Sequence, residues 1–318
     1  MDALLRVRHA VRAWLRENPN DVVAVAFSGG ADSLALVAAA VAEVPTIALI
    51  VDHRLQDGSA LVAETAAAQA AELGVTRAQV LPIDVTGGGG LEAAARRARY
   101  AALDAARGEA PVLLGHTLDD QAETVLLGLA RGSGPRSIWG MRADDPPWGR
   151  PLLTVDRATT RQACAEIGLT PYRDPHNSDP AFTRVRLRTE VLPLLDDVLG
   201  GGVAAALART ADQLREDGAV LDDLAARLFA SARAGTTLDV GVLACQPAAV
   251  RRRAIRLWLL GGGAKALTAK HVRAVDELVV AWHGQGGTAV GGGGTGRRLV
   301  VTRCDGKLTL TVDQGGQR

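Results

Sequence analysis

The stretch Val23-Ala-Val-Ala-Phe-Ser-Gly-Gly-Ala-Asp-Ser-Leu-Ala-Leu-Val-Ala-Ala-Ala40 runs from a short apolar segment, through two glycines, into an alanine- and leucine-rich segment. It predicts a strand, a tight turn and the opening of a helix, the layout of a phosphate-binding loop. Gly29 and Gly30 let the backbone turn sharply and approach an anion with no Cβ in the way. The N–H groups at the helix start, with the Ser28 and Ser33 hydroxyls, then face phosphate oxygens. Bonds of this charge-assisted kind contribute about 1.5–3 kcal/mol each, so a handful of them holds a pyrophosphate without a side-chain cation. The lysine of a Walker-type loop is missing, and the first lysine anywhere in the chain is Lys265. Asp32 repels a bare phosphate, so a Mg2+ between its carboxylate and the phosphates is the natural resolution.

Apolar runs and helical patterns alternate around this loop. Strands are predicted at Val22–Phe27, Thr46–Val51, Gln79–Pro82 and Pro111–Gly115, and helices at Ser33–Val44, Ser59–Leu73 and Leu91–Gly108. Leu4–Arg16 reads as an amphipathic lead-in helix with Val7, Val11, Trp14 and Leu15 on one side. The alternation predicts an α/β fold, a doubly wound parallel sheet with helices on both faces. Pro193 and Gly200–Gly202 close a first domain over residues 1–199. A helical linker over 200–235 carries Leu207, Leu214, Leu221, Leu224 and Leu228 at heptad-like spacing. Residues 236–318 read as a smaller, mostly helical domain, with helices at Pro247–Leu260 and Thr268–Trp282 and a late strand pair near Arg298–Arg303 and Lys307–Val312. The glycine-dense Gly284–Gly296 reads as a mobile loop.

At 318 residues, with 47% hydrophobic and 22% charged residues, the chain is globular in composition and long enough for a large and a small domain. No apolar run reaches the ~18–20 residues of a bilayer span, and the N-terminus lacks a secretory core, so a soluble cytoplasmic protein with no membrane partner is expected. Cys164, Cys245 and Cys304 lie far apart and form no C-x-x-C, which points away from disulfide frameworks and zinc fingers. Charge is uneven. From Ala248 onward twelve basic residues face four acidic ones, a tail of +8, whereas the rest carries −7. This asymmetry suggests a polyanion held by the C-terminal part.

Ser28-Gly-Gly-Ala-Asp-Ser33 resembles the PP-loop of the ATP pyrophosphatases, whose fold is adenine nucleotide alpha hydrolase-like and which cut ATP between its α and β phosphates. A second motif, His116-Thr-Leu-Asp-Asp-Gln-Ala-Glu-Thr124, is similar to the His-x-x-Asp-Asp-x-x-Glu-Thr element of the tRNA(Ile)-lysidine synthetase family and of related tRNA thiolases. On a helix, Asp120 and Glu123 stand on one face and can share one metal or one substrate group. The lysidine synthetase branch is matched further by Ala95-Arg-Arg-Ala-Arg-Tyr100, Arg131-Gly-Ser-Gly134, Arg150-Pro-Leu-Leu153, Asp174-Pro-His-Asn177 and Phe182-Thr-Arg-Val-Arg-Leu-Arg188 followed by Val191-Leu-Pro193. Val51-Asp-His53 resembles the stretch that contacts adenosine. The likeness is dense over about residues 20 to 195 and sparser beyond, where Gly306–Leu310 carries a Gly-x-Leu-x-Leu ending.

The resemblance implies ATP and Mg2+ as cofactors, and free L-lysine and a CAU-anticodon tRNA(Ile) as partners. It implies ATP binding by Ser28, Gly29, Gly30, Ala31, Asp32, Ser33, His53 and His116, and metal at Asp32 and Asp120. Catalytic roles fall on Asp120, Glu123, Arg96 and Arg188, and tRNA contacts on Arg99 and Arg184. With tRNA as the partner, the basic tail and Arg251, Arg252 and Arg253 are expected along its phosphates. A PP-loop thiolase remains a rival, although those enzymes depend on catalytic cysteines or an iron–sulfur site and Cys164 stands alone in the first domain. A small-metabolite amidotransferase is a second rival; the chain has no N-terminal nucleophilic cysteine, and such an enzyme needs no basic appended domain. Oligomeric state is not written in the sequence, and a homodimer is compatible with it.

Overall fold

The computed structural model describes residues 2–54, 58–86, 90–132, 134–172, 179–293 and 297–314. Asp174–Asn177 and Ser133 of the sequence motifs lie outside the described residues. The chain divides into two compact units, Met1–Leu127 with Gly140–Arg209, and Gly128–Trp139 with Thr210–Arg318.

In the first unit the helix α1 (Ala3–Glu17) leads into β1 (Val23–Ala26), α2 (Ala31–Val41), β2 (Thr46–Asp52), α3 (Ser59–Glu72), β3 (Arg77–Pro82), α4 (Leu91–Ala106), β4 (Val112–Leu114) and α5 (Leu118–Arg131). Two short strands, β5 (Asp144–Asp145) and β6 (Trp148–Gly149), precede α6 (Arg157–Glu166). Then come α7 (Thr183–Arg186), a π-helical turn at Leu187–Val191, α8 (Leu192–Leu199) and the start of α9 (Val203–Ala232). The expected strands and helices are present, with ends displaced by a few residues.

The sheet order is β3-β2-β1-β4-β6-β5, parallel except for the β5–β6 pair. Strand β1 shows why both faces are covered. Val23 and Val25 join a core with Val7, Val11 and Trp14 of α1, Leu34 and Val37 of α2, Ala66 of α3 and Ala163 of α6. Ala24 and Ala26 point the other way and pack with Leu49, Leu114 and Leu103 of α4. Alternation at period two, with both faces apolar, is the signature of a strand buried between helical layers. Because β1 lies between β2 and β4, chain order reverses there, and the loops leaving the C-terminal ends of β1 and β4 open side by side.

The second unit holds the remainder of α9, then β7 (Arg233–Ala234), β8 (Thr237–Asp239), α10 (Val240–Ala244), α11 (Ala248–Gly261), α12 (Ala269–Val280), β9 (Thr288–Val290), β10 (Arg297–Cys304) and β11 (Lys307–Gln314). The expected late strand pair is β10–β11, but it sits in a five-stranded antiparallel sheet ordered β7-β8-β11-β10-β9. Part of the glycine-dense stretch expected as a mobile loop is strand: Thr288–Val290 pairs with β10, and Val290 is buried in the core. Glycine content hid the short β-branched segment between the glycines. Gly128–Trp139 packs within this unit, where Arg136 pairs with Asp222 at 2.6 Å and Arg215 donates to the Trp139 carbonyl at 2.5 Å. Among the described residues no single helix is long and apolar enough to cross a membrane.

Candidate active site

The loop between β1 and α2 is closed by its own hydroxyls. Ser33 Oγ donates to the Gly30 carbonyl at 3.0 Å and accepts from the Ser28 N–H at 3.2 Å, and the two serine Oγ atoms lie 3.1 Å apart. Gly29 sits at φ +76°, a left-handed conformation that favours glycine. Gly30 is the N-cap of α2 and offers no side-chain acceptor. The N–H groups of Ala31, Asp32 and Ser33 therefore have no acceptor inside their own helix and stand where an anion would sit.

Strand β4 delivers the second motif beside the loop. At Gly115 a side chain would be crowded: an added Cβ would lie 3.0 Å from the Ser33 backbone nitrogen. Thr117 precedes α5, and the Asp120 Oδ2 reaches back to accept from the Thr117 N–H and hydroxyl, both at 2.9 Å. These two bonds, both donated by Thr117, fix the Asp120 rotamer. The Asp119 carboxylate accepts from the Arg157 N–H at 2.8 Å, and Asp156 accepts from Thr159 N at 2.7 Å, so two carboxylates cap α6.

Arg157 lies at the centre. Its Nη2 donates to Asp120 Oδ1 at 2.7 Å, its Nε approaches Asp32 Oδ2 at 3.5 Å and its Nη1 lies 3.6 Å from Glu123 Oε1. Thr160, one turn further on, donates to Asp32 Oδ1 at 2.5 Å. Glu123 is fully enclosed. Arg188 holds it through Nε at 2.9 Å and Nη2 at 3.4 Å, and Arg184 Nη1 stands 3.7 Å away. The π-helical turn carries Arg188 and follows α7, which carries Arg184, so both guanidinium groups converge on one carboxylate.

Burial pushes the Asp32 carboxyl above its usual range; Thr160 and Arg157 pull it back, while the charge on Asp120 adds to the rise. Burial also works against Asp120, yet Arg157 and the Thr117 N–H outweigh it and hold that carboxyl below the usual range. His116 is pushed down to about 3, by burial first and then by Arg99, Arg150 and Arg96 against the opposing pull of Asp120. His53 is lowered by burial and by Arg99. Both imidazoles are neutral at pH 7, and the buried Nδ1 of each has no hydrogen-bond partner among the described residues. Arg99 is itself lowered by burial and by Arg96. Arg96 is exposed, donates to the Tyr100 hydroxyl at 3.1 Å and lies 4.9 Å above the Tyr100 ring.

The first unit thus brings together Ser28–Ser33, Asp120, Glu123, Arg184 and Arg188, with His116, His53, Arg96 and Arg99 linked to them through mutual electrostatics. Three of the expected residues are engaged by partners within the protein. Glu123, expected in a catalytic role, is enclosed by three arginines, Arg157, Arg184 and Arg188. Asp120, expected at the metal, has one oxygen bonded by Thr117 and the other by Arg157. Arg251, expected along the RNA phosphates, is 7% exposed and bonds both oxygens of Asp276, at 2.5 and 3.3 Å. Arg252 also binds Asp276, at 2.7 Å, and Arg253 binds Asp222 at 3.0 Å, so the whole run is engaged internally. Arg157 and Thr160 escaped the sequence reading. No acidic residue stands three or four positions from Arg157, and its partners come from other elements; the Asp156 cap marks only the start of the helix.

A PP-loop domain model matches residues 4–195, and a TilS substrate binding domain model matches residues 238–309. The chain is 66% identical to a tRNA(Ile)-lysidine synthase of Nocardia farcinica, over 96% of this chain and 97% of that protein. It is 64% identical to that of Rhodococcus jostii over 98% and 96%, and 58% identical to that of Mycobacterium tuberculosis H37Rv over 97% of both. Among solved structures, the U34-tRNA thiolase NcsA from Methanococcus maripaludis superposes with a TM-score of 0.54 at 18% identity, over 67% of this chain and 80% of that one, a likeness of fold. Identity at this level along both chains, with the two domain models matched in order and the loop and paired acidic motif folded into one site, places this chain in the tRNA(Ile)-lysidine synthase family.

Proposed function

We propose that this protein joins free lysine to C2 of the wobble cytidine in a CAU-anticodon tRNA(Ile), with ATP cleaved to AMP and pyrophosphate. The observation that carries this reading is the PP-loop domain followed on one chain by a TilS substrate binding domain, within near-full-length identity to lysidine synthases. In the first step the cytosine O2 attacks the ATP α-phosphorus, the bond to the β-phosphate oxygen breaks, and pyrophosphate leaves. The Ala31, Asp32 and Ser33 amides and the loop hydroxyls hold that leaving group, which places fixed dipoles where negative charge develops. In the second step the neutral lysine ε-amine attacks C2, loses a proton and expels AMP. Asp120, kept ionised by Arg157 and the Thr117 N–H, supplies negative charge that draws the lysine ammonium toward the site, while Glu123 acts on Arg188 rather than on the amine. Neutral His116 and His53 offer unpartnered ring nitrogens to nucleotide or base. The target base must leave its stack to reach such a pocket, as in other single-stranded RNA recognition.

Mg2+ fits one residue of the pair proposed for it. The described residues form no group of three or more His, Cys, Asp or Glu side chains able to hold a metal unaided. Mg2+ is commonly held by one or two carboxylates plus substrate phosphates. Asp32 suits that pattern, with a half-buried carboxylate whose Oδ2 has, among the described residues, only the long 3.5 Å approach of Arg157. Bound there, the ion would offset charge on the phosphates.

The test incubates the protein with labelled lysine, ATP, Mg2+ and transcribed tRNA(Ile) bearing CAU, with a tRNA(Met) transcript bearing the same anticodon as control. Label should become acid-precipitable with the isoleucine transcript in step with AMP release. Lysine that stays acid-soluble would overturn the reading.

A further inference from the structure

We propose that Arg157 is a positioning residue for this site, a fixed guanidinium that gathers the loop carboxylate and the α5 carboxylates around one ligand. The assignment rests on the functional reading above only for which reaction it serves. The loop has no lysine, and residues 1–264 contain none at all. The cation beside the loop comes instead from α6, 125 residues after Asp32. Each of its three nitrogens addresses a different carboxylate: Nε faces Asp32, Nη2 faces Asp120 and Nη1 faces Glu123. Its side chain is 9% exposed, and its N–H is fixed by Asp119, so the head group has little freedom to search. A planar fork can serve three directions at once, whereas an ammonium on a flexible stem is a point charge.

Without this cation, Asp32 and Asp120 face each other, and any incoming triphosphate, with one charge fewer to balance them. Arg157 therefore acts through the carboxylates, keeping two elements aligned that the sheet has only brought near. Loss of the groups that orient metal ligands costs about 10–100-fold in affinity or activity, and a loss of at least the lower size is expected here.

The test is a double-mutant cycle read by binding of α,β-methylene-ATP in metal-free buffer, with lysine transfer followed in parallel. Arg157→Met should weaken binding by about tenfold or more. In an Asp120→Asn background the same change should cost less than about threefold, because the one of its three carboxylates bonded most closely, at 2.7 Å, is gone. Arg157→Lys should remain at least about threefold weaker than wild type, since it keeps the charge but not the fork. Binding by Arg157→Met within twofold of wild type, an undiminished penalty in the Asp120→Asn background, or full recovery by lysine would each overturn the proposal. Should Arg157→Met fail to fold, Arg157→Lys and the charge-balanced double variant carry the test. If the wild-type protein transfers no lysine, the functional reading falls, while the binding cycle still decides the role of Arg157.

Discussion

Arg251→Met separates a structural from an RNA-binding role at the head of the most basic run in the chain. Arg251 donates to both oxygens of Asp276 at 2.5 and 3.3 Å and to the Gln246 carbonyl at 2.6 Å. Methionine keeps much of the apolar stem but leaves Asp276, 1% exposed, with Arg252 at 2.7 Å as its remaining ion-pair partner. Removing one member of a buried pair typically costs about 3–5 kcal/mol, because the other charge stays desolvated. Arg252 is partly exposed and already in place, which lowers the expected cost to about 2–3 kcal/mol. In a unit of roughly a hundred residues, each kcal/mol moves the melting midpoint by about 4–8 °C, so a fall of about 10–20 °C is expected. Tryptophan fluorescence reads it, since Trp258 and Trp282 both belong to the second unit. Filter binding to tRNA across a salt series, below the variant's melting range, supplies the other measurement. Affinity and salt slope should match the wild type there. An unchanged midpoint, with weaker binding and a salt slope smaller by about one, would refute the structural assignment and restore Arg251 as a phosphate contact.

Gly115→Ala should act on the loop from behind: its Cβ would lie 3.0 Å from Ser33 N and 3.1 Å from the Asp32 carbonyl carbon, both backbone atoms that cannot swing aside. Overpacking of this kind costs about 1–3 kcal/mol, and the displaced α2 start should lower kcat/KM for ATP by more than tenfold in steady-state assays. A variant with unaltered ATP kinetics would show that the loop is not held against β4. His116 should make stability fall in acid. Its imidazole sits at about 3 when folded against 6.5 when free, so between these values the unfolded chain takes up a proton that the folded chain refuses. Stability therefore declines as pH drops through 6.5 toward 3 and is unaffected by this group above that window. Urea midpoints of His116→Gln should fall less steeply than wild type from pH 6.5 to 4 and run parallel to it above pH 7; equal acid slopes would remove the claim.

Sequence by itself determined the parts whose physics is local. A strand that alternates Val and Ala, a Gly-Gly turn with an obligatory positive φ at Gly29, and a helix opened by Gly30 are all written within a dozen residues. The His116–Thr124 motif was equally legible, because the spacing of Asp120 and Glu123 is enough to put them on one helical face. Only the tertiary structure decided what those charges do. Whether a carboxylate is open or spent depends on cations that arrive from elsewhere, and ion pairs between distant elements leave no periodic trace in the chain. Arg157, Arg184 and Arg188 close over Glu123, and Asp276, 25 residues later, engages Arg251, pairings that no spacing in the sequence announces. The adjacency of β1 and β4 belongs to the same class, since strand order is settled by how the helices pack on both faces of the sheet. That adjacency sets the lysine-free loop beside the paired acids, and it lets an arginine from α6 stand where a Walker-type loop would carry its own cation.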